Sequence, residues 1–101
     1  MKVYDKLKWH YPETPVFQNK EQAIAFFQQV MDWLSEHHLL TEEGEELKDV
    51  SLSGEDFSLH ERMLNERGIK LLNTCYEAWS EKCIADSRIE FSALEDQLIK
   101  I

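Results

Sequence analysis

The side chains able to do chemistry are few in this 101-residue chain, and their spacing does not suit it. The four histidines and two cysteines are its metal ligands of borderline or soft character. His37 and His38 are adjacent, so on a helix they diverge by about 100° and cannot share an ion. No Cys or His pair has the two-to-four-residue spacing usual in zinc sites. Cys75 and Cys83 are eight residues apart on one expected helix, about 12 Å along its axis at 1.5 Å per residue. That exceeds the roughly 7 Å over which two Cα atoms can be bridged, so both are expected to be free thiols.

Two further constellations invite a chemical reading. Asp49-Val50-Ser51-Leu52-Ser53-Gly54 carries oxygens and a glycine in the order of a calcium loop, but His60 stands where the loop needs a bidentate Glu. Ser58, His60 and Glu61, or the paired acids Glu42/Glu46 and Glu43/Glu45, would serve acid–base work only if partly buried. A solvated hairpin or helix start accounts for the first, and a run of acids this dense is usually a solvated face. The sequence has no Gly-x-Ser-x-Gly elbow and no phosphate-cradling glycine loop. The expectation is a protein without catalytic residues, cofactor or metal.

Charge is where the sequence is most distinctive. Twenty acidic against eleven basic side chains give a formal charge of −9. Residues 42–56 hold Glu42, Glu43, Glu45, Glu46, Asp49, Glu55 and Asp56 against Lys48 alone, so six of the nine net charges fall there. A field of one sign repels nucleic acid and anionic membrane and attracts a basic partner. Phe57, beside that run, is the expected apolar anchor of a partner-binding face; Trp9, Tyr11 and Trp33 are the other aromatics to consider. No segment approaches the ~18 consecutive apolar residues of a membrane span. The N-terminus lacks the apolar stretch of a secretory signal, so the expected location is the cytoplasm.

The elements that must position these residues read as a single mostly helical α+β domain over 1–101 with about four helices. Val3, Leu7, Trp9 and Tyr11 alternate with Lys2, Lys6, Lys8 and His10, which suits a half-buried strand or arm, with Asp5 out of place on the apolar side. Pro12 and Pro15 end it. Asn19 and Gln22 open a helix over about 20–38 whose apolar stripe is Ala23, Phe26, Phe27, Val30, Met31 and Leu34. Leu40-Thr41-Glu42-Glu43-Gly44 is then echoed, 24 residues on, by Leu64-Asn65-Glu66-Arg67-Gly68. Thr41 and Asn65 are good N-caps, and acids just after them suit the positive end of a helix dipole. The echo therefore marks two similar helix starts, at 42–49 and 66–84. Between them a small hairpin about Ser53-Gly54 is favoured over a helix begun by the capping box Ser58-Leu59-His60-Glu61. Ile69, Leu72, Tyr76, Trp79 and Cys83 make the second helix central, and Ser92-Ala93-Leu94-Glu95 caps a last one with Phe91, Leu94, Leu98 and Ile101 on one face.

Met63-Leu64-Asn65-Glu66-Arg67-Gly68-Ile69-Lys70-Leu71-Leu72 resembles the junction between wing strand and last helix in winged-helix proteins. Over those ten residues the resemblance implies a regulatory domain with a basic recognition helix upstream. The corresponding region here is the acidic 42–56 segment, which opposes nucleic-acid binding. In size and charge the chain is similar to small inhibitors of the bacterial immunity or antitoxin type, which neutralise a basic toxin such as a nuclease. The expected function is a non-enzymatic acidic binding protein of that kind; the alternative is a winged-helix-like regulatory domain.

Overall fold

A computed structural model describes residues 2–6, 20–50, 58–86 and 88–101, with Lys20, Asp49 and Val50 described by backbone alone. In chain order they form strand β1 (Val3–Lys6), helix α1 (Lys20–Glu36), helix α2 (Glu42–Val50), strand β2 (Ser58–His60), a 3₁₀ turn (Glu61–Met63), helix α3 (Glu66–Ala85) and helix α4 (Ser92–Lys100). The fold is mostly helical α+β, with β1 and β2 paired antiparallel.

The apolar stripe of α1 is buried throughout, from Ala23 to Leu34. The helix stops at Glu36, two residues before the expected end, because His38 adopts φ 58°. Leu39 N–H then donates to the Leu34 carbonyl at 2.9 Å and His38 N–H to that of Ser35 at 3.1 Å. This pair of bonds, with Leu34 and Leu39 both buried, is a Schellman ending with histidine in the place usually taken by glycine.

The two echoed segments meet face to face. Leu40 and Leu64 form an antiparallel bridge, about which every neighbouring contact occurs twice. Thr41 N–H donates to the Met63 carbonyl at 2.9 Å and Asn65 N–H to the Leu39 carbonyl at 3.0 Å. Thr41 Oγ1 accepts from Gly44 N–H at 3.2 Å and donates to the Arg62 carbonyl at 2.8 Å. Asn65 Oδ1 accepts from Gly68 N–H at 3.0 Å while its Nδ2 donates to the His38 carbonyl at 2.6 Å. Each cap thus satisfies a helix N-terminus and ties it to the opposite segment, which requires a side chain that both accepts and donates. Each glycine lets a backbone pass close by: a Cβ on Gly68 would sit 2.6 Å from the Leu39 oxygen, and one on Gly44 would collide with the Met63 oxygen. The echo in the sequence is a local two-fold in the structure.

Around this junction α3 is the central helix, with Leu71, Leu72, Tyr76, Trp79 and Cys83 buried. Phe91 stacks between Trp33 (5.5 Å) and Trp79 (5.4 Å), and Phe26 covers the far side of Trp79 at 6.1 Å. The ladder joins α1, α3 and the start of α4, and Trp79 Nε1 donates to the Glu90 carbonyl at 2.7 Å. Trp33 is therefore a core residue. α4 departs from expectation at its start. Ser92 Oγ donates to Glu90 Oε1 at 2.9 Å, Phe91 occupies the cap position without a side-chain cap bond, and the expected capping box does not form. Leu94 is buried, but Ile101, just past the last helical residue, is exposed.

Ser58–His60 is extended, as a hairpin strand would be, and among the described residues its partner is β1, in register Val3 with His60 and Lys6 with Ser58. The other half of the expected hairpin, and residues 7–11 of the expected strand, lie outside the described residues. The box at Ser58 starts no α-helix; after His60 comes one 3₁₀ turn. Asp5, out of place by pattern, is 3% exposed and accepts from the Tyr76 hydroxyl at 2.8 Å, 71 residues away.

The junction makes two sign-reversing predictions for chemical denaturation. Gly→Ala inside a helix ordinarily stabilises by up to ~1 kcal/mol; Gly44→Ala should instead destabilise by about 1–3 kcal/mol, the cost of overpacking against fixed backbone. Asp caps helices as well as Asn does, yet Asn65→Asp should lower stability by about 1–3 kcal/mol, since a carboxylate cannot donate and leaves the His38 carbonyl facing negative charge.

Candidate protein-binding surface

Helix α2 is held by its cap and by the side it turns to the core. Gly44 is buried against Met63 and Leu47 packs on the core. The 3.6-residue period then sends Glu42, Glu43 and Glu46 outward, and all three are exposed. None of them makes an ion pair with a described residue. Glu45 differs: half-buried, it accepts the Ser35 hydroxyl at 2.9 Å on each oxygen and ties α2 to α1. Lys48, the one base in this helix, reaches Asp32 of α1 at 3.8 Å. Asp49 lies in the last turn of the helix without a described side chain, and Glu55, Asp56 and Phe57 lie outside the described residues, as do Trp9 and Tyr11. Of the expected site, the structure brings together Glu42, Glu43 and Glu46 and assigns Glu45 to internal packing.

Three acids in the first turn of α2 have an internal role as well. They lie at the positive end of its dipole, where each contributes roughly 0.3–1 kcal/mol. With the α3 N-terminus held against the same junction and Glu66 in its first turn, the acids offset two helix dipoles that begin side by side.

A second acidic surface went unforeseen. A groove of about 650 Å³ runs between β1 and α3. At one end Asn73 Oδ1 accepts from Lys2 Nζ at 2.7 Å and from the Tyr4 hydroxyl at 3.0 Å. Asp5 and Tyr76 meet on its wall, and Glu77 and Glu81 stand exposed further along α3. Burial holds the Tyr76 phenol well above its ordinary value near 10, and the Asp5 carboxylate beside it adds to the rise. Burial, reinforced by Glu61, also raises Tyr4. The only sign of this groove in the sequence was Asp5, an acid at an apolar position.

The other candidates give no reactive centre among the described residues. Cys75 and Cys83 are free thiols; Cys75 donates to the Leu71 carbonyl, and burial pushes its thiol upward, away from the nucleophilic form. His37 packs its ring 4.3 Å from Trp33. No group of three or more His, Cys, Asp or Glu side chains among the described residues is placed to hold a metal ion. The segment 49–54, which echoes a calcium loop without its bidentate Glu, lies largely outside those residues. No described helix is long and apolar enough to cross a membrane. The chain matches no protein-family model, no curated protein and no solved structure.

Tyr76→Phe keeps the ring but removes the donor to Asp5. It should cost about 1–3 kcal/mol near neutral pH, the penalty for withdrawing a partner from a buried polar group. The phenol's folded value lies above its unfolded one, so its contribution is complete below pH ~10 and is lost as pH rises above it. The wild-type protein should therefore lose stability more steeply than Tyr76→Phe in denaturant titrations above pH ~10; parallel slopes would show that Tyr76 is not the buried phenol described.

Proposed function

We propose that this chain is a non-enzymatic binding protein that engages a basic protein through its acidic surface, in the manner of an immunity or antitoxin-type inhibitor acting in the cytoplasm. The observation that carries the reading is the outward row Glu42, Glu43 and Glu46 on a helix whose single lysine is drawn away to Asp32. Exposed carboxylates of one sign raise the encounter rate with a cationic partner and discourage anionic ones. The winged-helix alternative needs a basic helix ahead of α3 to neutralise phosphates. The helix in that place is α2, with four glutamates and one lysine, so the regulatory reading has no electrostatic support.

The test needs the partner, captured from the native cell with the unmodified protein and then purified. Glu42→Gln/Glu43→Gln/Glu46→Gln should slow its association about tenfold at low ionic strength and flatten the salt dependence, since rim charges act mainly on encounter. Dissociation should change little. The variant should remain folded, losing only the dipole contribution of Glu42 and Glu43, roughly 0.3–1 kcal/mol each. An unchanged association rate and salt slope would reduce the row to a solvated face. Glu45→Gln serves as the control, its carboxylate being held by Ser35.

A further inference from the structure

We infer that the groove between β1 and α3 is a second anionic docking site, and that it receives an extended, arginine- or lysine-bearing segment of the basic partner. The inference rests on the reading above and adds to it where the partner is held once it has been attracted.

Shape supplies the first argument. The volume of about 650 Å³ falls within the few hundred to ~1,000 Å³ of sites that enclose a ligand. One wall is a strand and the other runs along α3 from Leu72 to Glu81, a length of about 13 Å at 1.5 Å per residue. That space admits several residues of extended chain. Val3, Tyr4 and Ala78, none of them buried, give the lining apolar surface for the methylene stem of a lysine or arginine.

Charge supplies the second. The lining holds three carboxylates, Asp5, Glu77 and Glu81, and one ammonium, Lys2. Lys2 is bound to Asn73 and lies 5.0 Å from the centre of the Tyr4 ring, so it is engaged at the Asn73 end. Glu77 and Glu81, one turn apart on α3, make no ion pair with any described residue. With Asp5 held by Tyr76 and Lys2 engaged at the far end, the outward charge of the groove is that of Glu77 and Glu81. A concave site of predominantly one sign between low-dielectric walls focuses its field and raises the local concentration of a counter-charge. The glutamates of α2 stand outside this groove. α2 therefore steers the partner, and the groove retains a cationic side chain.

An arginine-rich nonapeptide titrated into ¹⁵N-labelled protein at ~0.15 M salt tests this by amide chemical shifts. The expected result is a set of shifts over 2–5 and 72–81, with affinity falling about tenfold in Glu77→Gln/Glu81→Gln and by less in Glu42→Gln/Glu43→Gln/Glu46→Gln. The Gln replacements in α3 are at exposed positions, and the amide spectrum of each variant reports its fold directly. Shifts confined to 42–50 would overturn the groove and leave the α2 reading standing. Equal affinity for the Glu77→Gln/Glu81→Gln variant would overturn it whatever the shift map. No shift anywhere would overturn the groove, and the association-rate test with the native partner would then decide the α2 reading separately.

Discussion

Two helices that start side by side create an electrostatic and steric difficulty, and the junction at Leu40 and Leu64 is how this chain resolves it. Helix N-termini carry unsatisfied N–H groups and partial positive charge; setting two together would ordinarily call for bound anion or water. Here Thr41 and Asn65 each take up an N–H of their own helix and grip the other segment's backbone, while glycines at 44 and 68 allow the close approach. The position of α2 on the surface, the entry of α3 into the core and the left-handed exit of α1 at His38 all follow from that contact.

The acidic run acquires a double meaning from this arrangement. Part of it answers the two dipoles, and Glu45 fastens α2 to α1 through Ser35. What remains outward is Glu42, Glu43 and Glu46. Selection for a stable junction and for a cationic partner would favour the same residue type at the same positions, so composition by itself cannot separate the two. Gln substitution can, because stability depends on the dipole terms and association rate on the external field.

Local pattern made much of the fold legible. The three- and four-residue steps of α1 and α3 match their buried faces, since a helix fixes its own periodicity whatever it packs on. The echo at 40–44 and 64–68 was readable as two helix starts, but not as a mutual contact, because spacing says nothing about which elements meet. For the same reason the pairing of β2 with β1 was not legible: local pattern points to neighbours, whereas β1 lies more than fifty residues earlier. Asp5 stood out as an exception to the apolar parity, and only Tyr76 explains it. At Ser92 a good capping sequence lost to a competing acceptor, Glu90, a choice that propensity cannot foresee. Of the candidate site, the exposure of Glu42, Glu43 and Glu46 follows from helix phase, while the groove was invisible because its walls are remote in sequence.

That remoteness has a kinetic side. The junction closes a segment of only 24 residues, so it can assemble early and at modest entropic cost. The contacts of β1 with α3 span about 70 residues, a far longer closure, and the strand itself is four residues long. β1 is thus expected to dock late and release early, by an opening below the global unfolding free energy. The strand wall of the groove is then expected to open before the helical one, so a guest bound there would slow amide exchange more in β1 than in α3.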